Sequence, residues 1–304
     1  MATRSLPPML RDQTAQRRFF TRIRHWTLSR IVVEAAALVI TIAVASRLLS
    51  LAIPPAPSPL HVPLAMLRNL FEVALLLAVY SVIIQSMERR RAVEIDLRPG
   101  RVQFPVGVVI GMTLMSVVYF ILWTLGVAAF GPGTGLRGLG AGLVVAFLAA
   151  VFEELLLRAV LFRIVEQACG TTLALLVSAI VFGVLHGANP GATLFSDAAI
   201  AIEAGLLLAM AYALTRNLWL AIGIHAGWNF TEGNLFGAQI SGMAGSSSLL
   251  HGTLTGPALL TGGRFGPEAS IVAIGVCGLA AVALGIMVVR RGGWRPLAFR
   301  LTLP

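Results

Sequence analysis

Two adjacent carboxylates lie inside an apolar stretch, Phe152-Glu153-Glu154-Leu155-Leu156-Leu157-Arg158. The run before them, Gly138 to Val151, carries no charge, and together with the apolar residues after the acids it is long enough to cross a bilayer. An acid at such depth is costly to bury and marks a functional site by default. Two later apolar segments carry its candidate partners: Phe182-Gly183-Val184-Leu185-His186 and His225-Ala226-Gly227-Trp228-Asn229. Glu, His, His and Asn on three helices can perform hydrolysis. A desolvated Glu is suited to take a proton from water. Asn or a protonated His can donate to a developing oxyanion.

Helical spacing divides the roles. Glu154 and Arg158 are i and i+4 with the acid first, so they can pair on one face. Glu153 is rotated by about 100° and is free of that pair. The simplest assignment makes Glu154–Arg158 a structural ion pair and Glu153 the chemical group. Phe182 and His186 share one face, as do His225 and Asn229. Depth agrees in part. Glu153 precedes Gly170 by 17 residues and His186 follows it by 16, so an antiparallel hairpin puts them at one level. His225 is eight residues past the turn at Asn217. The groups can then meet if the first hairpin protrudes on the Arg-rich side.

Each residue alone has a plainer role. His186 precedes a helix terminator, Gly187-Ala188-Asn189-Pro190, and could simply cap it. Asn229 could be interhelical glue. The Glu pair could be a proton or ion relay. Glu34, Glu72 and Glu203 read as structural, Glu203 facing solvent or a neighbouring helix. Glu232, three residues past Asn229, reads as support for the site. His61 and His251 fall in expected loops. Gly107-x-x-x-Gly111, Gly138-x-x-x-Gly142 and Gly223-x-x-x-Gly227 read as packing seams.

The elements that must position these groups are membrane helices. Of 304 residues, 57% are hydrophobic and 12% charged, about half the charge of a soluble domain. The expected fold class is all-α and polytopic, with about eight transmembrane helices near 31–53, 64–87, 103–130, 138–167, 171–187, 196–215, 218–236 and 269–289. The division is a cytoplasmic Arg-rich tail (1–30), N-terminal helices (31–130), a catalytic set (138–236), a Gly/Ser-rich external loop (237–268), and a last helix with a cytoplasmic tail (269–304). The first helix reads as a signal anchor, with no cleavage site near its start. The tail from Arg17 to Trp26 mixes Arg with aromatics, as a positive-inside anchor or an interfacial helix does. The two cysteines, Cys169 and Cys277, have no metal or disulfide spacing.

All 23 basic residues are Arg and the net charge is +10. They lie between apolar runs, which argues for topology determinants and against nucleic-acid binding. With the N-terminus inside, the cytoplasmic segments hold 19 Arg and the opposite side holds Arg47, Arg68, Arg137 and Arg264. Both termini are therefore expected in the cytoplasm. That count includes Arg158 and Arg163.

The set Glu153-Glu154-x-x-x-Arg158, Phe182-x-x-x-His186 and His225-x-x-x-Asn229 resembles the CPBP family, the CAAX-prenyl-protease and bacteriocin-processing intramembrane proteases, also called Abi. The stretch Gly205 to Trp219 is similar as well, so the resemblance covers roughly Gly138 to Phe236. It implies an intramembrane endopeptidase acting on a membrane-associated peptide or protein in a lipid bilayer. Glu153 and His186 would activate water, His225 and Asn229 would stabilise the oxyanion, and Glu154 and Arg158 would support the site. The residues permit either a glutamate-only protease or a metalloprotease, in which Glu153, His186 and His225 could supply a His₂Glu zinc set. No HExxH helix is present. The competing classes are an ion-coupled transporter using the Glu pair and a non-catalytic immunity or scaffold protein on the same fold. A relay does not need the His/Asn pair, no internal repeat favours a carrier, and no motif residue is missing. The all-Arg composition looks like that of a high-GC bacterial chain, which points to the inner membrane and away from a prenylated substrate. Bacteriocin immunity, peptide maturation and processing of a lipid-anchored partner stay open.

Overall fold

The fold is known from a computed structural model, which describes residues 26–299 apart from Pro57 and Ser246. The tail from Arg17 to His25 lies outside the described residues. The helices are α1 (Thr27–Ser50), α2 (His61–Glu88), α3 (Leu97–Thr124), α4 (139–169), α5 (Thr171–His186), α6 (Leu194–Thr215), α7 (219–235) and α8 (Ile271–Arg290). About 72% of the described residues are helical. Five helices, α1, α2, α3, α6 and α8, are long and apolar enough to cross a membrane. Their outward faces expose side chains such as Ile40, Phe71, Phe120 and Leu279, as lipid-facing helices do.

The remaining rods, α4, α5 and α7, are not among these five. Helix α5 has only 16 residues. Helices α4 and α7 are interrupted by π-helical turns at Leu155–Phe162 and Thr231–Leu235, and α6 contains a third at Ala201–Leu206. A π turn widens the helix and releases carbonyls from the regular ladder. Hydropathy cannot see this, because it averages side chains and not backbone hydrogen bonds.

One element departs from the all-α expectation. Ala128–Pro132 (β1) and Leu250–Leu254 (β2) form an antiparallel ribbon with Phe130 opposite Gly252. By sequence, Ala128 to Phe130 belong to the end of the third span and 250–254 to a loop. The ribbon is too short and glycine-rich to show alternation. Tyr119 of α3 stacks on Phe236 at 4.1 Å between centroids, and Phe130 packs on both rings, which ties the ribbon to α3 and α7.

Ion pairs close the opposite end. Arg163 reaches Glu34 of α1 at 3.0 Å, Glu88 of α2 at 2.7 Å and Glu94 at 3.6 Å. Glu166 pairs with Arg216 and lies 3.7 Å from Arg295. The C-terminal segment returns to this end, where the Arg295 amide donates to Thr171 Oγ1 at 2.9 Å. Arg158 and Arg163, counted above as cytoplasmic charges, are both buried. They are internal partners of acids, not loop charges.

Candidate functional site

Glu153 and Glu154 end the regular α-helical part of α4, just before its π turn. Their expected divergence is present. Glu154 is fully buried and its Oε1 accepts from Arg158 Nη1 at 2.9 Å. Arg158 spends Nη2 on the carbonyls of Ala204 and Gly205, at 2.9 and 3.2 Å. Both carbonyls belong to the π turn of α6, so the widened turn supplies acceptors to the buried guanidinium. Glu153, on the next face, has a side chain 29% exposed and lines a cavity of about 440 Å³, a ligand-pocket size.

Helix α7 brings His225 to both acids. It can do so because α7 lies against α3 along a glycine seam. A Cβ on Gly107 would stand 2.5 Å from the Leu220 carbonyl, and one on Gly223 would stand 2.3 Å from the Phe104 carbonyl. Gly111 and Gly227 are as crowded. Two of the three small-residue runs are therefore one seam. The third is a helix contact only in part: Gly142 meets the Asn234 side chain of α7, whereas Gly138 meets Ser247 of the following loop.

His225 Nδ1 lies 3.0 Å from Glu154 Oε1. A carboxylate oxygen only accepts, so Nδ1 carries the proton and Nε2 is left to the cavity. Nε2 stands 3.8 Å from Glu153 Oε2, too long for a direct hydrogen bond and suited to a water touching both. Asn229, one turn further along α7, lines the same cavity, as does His186 at the end of α5. His186 Nδ1 is 2.8 Å from the Phe182 carbonyl, which directs its other nitrogen away from its own helix.

Phe182 joins the parts. Its ring lies 4.7 Å from that of His186 and 6.2 Å from that of His225, and the Arg158 guanidinium sits 4.7 Å over it. Such a cation–π contact holds Arg158 from the side opposite Glu154.

All four sequence-derived groups, Glu153, His186, His225 and Asn229, thus share one cavity. Among the described residues no three His, Cys, Asp or Glu side chains are grouped to hold a metal ion as they stand. The Nδ1 contacts of His186 and His225 leave both Nε2 atoms free, the pattern of either a proton-transfer or a metal-ligating imidazole.

Three features escaped the sequence. The Glu154–His225 contact gives Glu154 a second partner besides Arg158. Glu203, read as facing solvent or a neighbouring helix, is 2% exposed and lines the cavity. The π turn Ala201–Leu206 that holds it alters the face it presents. Glu268 also lines the cavity, from the loop before α8, where a lone acid in a Gly-rich stretch gives no periodic signal.

The comparison with known families agrees with the motifs. Residues 135–231 match the family model described as type II CAAX prenyl endopeptidase, Rce1-like. The resemblance read from the motifs is shown. The match spans under half of the chain and contains Glu153, Glu154, Arg158, His186, His225 and Asn229. It is consistent with the CPBP intramembrane proteases and supports an endopeptidase at family level. No curated protein and no solved structure matches the chain.

Proposed function

We propose that the protein is an intramembrane endopeptidase that hydrolyses a peptide bond of a membrane-associated peptide or protein with a Glu153-activated water. The observation that carries this reading is the shared cavity of Glu153, His186, His225 and Asn229, with Glu153 partly exposed in it and Glu154 buried behind. Glu153, assisted by His186, takes a proton as water attacks the scissile carbonyl carbon. The carbonyl oxygen becomes an oxyanion, which Asn229 and protonated His225 Nε2 stabilise by donation. Glu154 holds the other imidazole nitrogen and supports its positive charge. Collapse of the intermediate breaks the C–N bond, and the proton held by Glu153 passes to the leaving amine. In this reading the protein sits in the inner membrane of a bacterium.

The test is comparative proteomics of membrane fractions from cells making the wild type or Glu153→Gln. New peptide N-termini should appear with the wild type and be missing with the variant. Identical N-terminal profiles at matched expression would sink the proposal.

A further inference from the structure

The cavity has a second polar wall that the hydrolytic chemistry does not use. Buried acids in this protein follow a pattern. Glu34 and Glu94 meet Arg163, Glu72 meets Arg68, Glu154 meets Arg158, and Glu166 meets Arg216. The three buried acids nearest the cavity break it. Glu203 and Glu268 are each 2% exposed, and Glu232 is fully buried. Among the described residues no Arg forms an ion pair with Glu203, Glu232 or Glu268; these acids lie near one another, with Cys277 and Tyr119 close by.

The trio is nonetheless ordered. The Glu268 amide donates to Glu232 Oε1 at 3.4 Å. Cys277 lines the cavity together with Glu203. Glu203 and Glu268 both line the cavity, and each keeps one carboxylate oxygen without a partner. A buried, unpartnered carboxylate is costly unless it holds a proton or a cation joins it. The trio is not grouped as a metal site. The wall beside Glu203 is apolar, formed by Ala204, Leu207 and Leu208. An apolar slot leading to an acidic end suits an aliphatic stem that ends in a charge.

We propose that Glu203 and Glu268 form an acidic subsite that receives one Lys or Arg side chain of the peptide substrate. This rests on the endopeptidase reading and adds to it a substrate class: peptides with a basic residue near the scissile bond. Glu232 is a positioning residue that holds Glu268.

The experiment uses full-length protein in lipid nanodiscs and N-acetylated, internally quenched peptides, so that no terminal amine competes. The peptides differ at one position, which carries Lys, norleucine, Arg or citrulline. The wild type should show kcat/KM about 10- to 100-fold higher for each charged peptide than for its neutral isostere, the worth of a charge-assisted hydrogen bond. Glu203→Gln and Glu268→Gln should each shrink that ratio, and the double variant should bring it close to one. The ratio is taken within one preparation, so partial misfolding does not move it. No charge preference in the wild type, or a preference retained in the double variant, overturns the subsite. A binding arm separates this from failure of the protease reading. Fluorescence anisotropy of the same peptides with Glu153→Gln protein reads charge preference without cleavage. If the wild type cleaves nothing yet binding favours Lys and Arg and loses that preference with Glu203→Gln, the subsite stands and the endopeptidase reading falls. Binding indifferent to charge removes the subsite.

Discussion

At the scale of single residues, adjacent glutamates perform different physical tasks. Glu154 accepts from Arg158 and His225 on one oxygen, and all three side chains are buried. Glu154→Gln keeps the shape but removes the counter-charge of a guanidinium that sees no solvent. Breaking a buried pair in this way costs about 3–5 kcal/mol. That variant is expected to lose both thermal stability and turnover. Glu153→Gln removes the proton acceptor from a partly exposed position, so turnover should vanish while the melting temperature stays close to the wild type. Melting curves beside peptide cleavage distinguish the two, and a stable but inactive Glu154→Gln with an active Glu153→Gln would reverse the assignment. Asn229→Ala, by removing one oxyanion donor, should lower kcat by about 10²–10³ with KM little changed; a change confined to KM would make Asn229 a binding group. This level was the most legible in the sequence. The i,i+4 pair, the rotation of Glu153 away from it and the shared faces all follow from helix geometry. The Glu154–His225 contact did not, because it joins residues 71 positions apart on helices whose crossing is not encoded by either segment alone.

At the scale of elements, the site depends on how closely α7 can approach α3. Glycine backbones meet along that seam, and the resulting crossing brings His225 to Glu154. Inserting a side chain must push the helices apart, since the obstructing atoms are backbone carbonyls rather than flexible side chains. Gly223→Leu should therefore lower the melting temperature and the activity together. Gly278→Leu on α8 makes a matched control, because no atom lies within 4 Å of its added Cβ, and it should leave both unchanged. Equal behaviour of the two variants, measured by thermal unfolding in the same detergent, would remove the seam from the explanation. Small-residue spacing announced this seam correctly, but it also suggested one at Gly138 and Gly142, where the neighbours are a serine and an asparagine side chain instead. Spacing identifies a place for close approach, not what approaches. The π turns were invisible for a related reason. No side-chain pattern marks them, and the widening accompanies tertiary contacts, such as those of buried Arg158 with the carbonyls of Ala204 and Gly205.

At the scale of the whole molecule, the two ends differ in kind. One gathers the segments around Glu88 to Asp96, Arg163 to Thr171, Arg216 to Leu218 and the chain past Arg291: the Leu218 amide donates to the Glu94 carbonyl at 2.7 Å, and Arg216 donates to the Gly293 carbonyl at 2.6 Å. The other end holds the ribbon, the start of α4 and the loop 240–245 that walls the cavity. Burial of Arg158 and Arg163 removes them from the count of loop charges, yet Arg89, Arg90, Arg91, Arg98, Arg101, Arg216, Arg290, Arg291 and Arg295 still fall toward the first end. From the positive-inside rule we propose that this end faces the cytoplasm. Reporter fusions at Arg91, Arg216 and Arg295 are expected to read cytoplasmic, and fusions at Ser58 and Ser247 external. The prediction is sharp because the ends are cross-linked within the fold. Arg216 and the C-terminal segment share hydrogen bonds, so they cannot lie on opposite sides of a bilayer. An external signal at Arg216 together with a cytoplasmic one at Arg295 would contradict the packing itself, whereas external signals at all three Arg positions would keep the fold and invert its orientation. In the expected orientation the cavity runs from Glu153, midway along α4, toward the outer end at Gly142 and Gly245, so a substrate would enter the site from the side opposite the Arg-rich face.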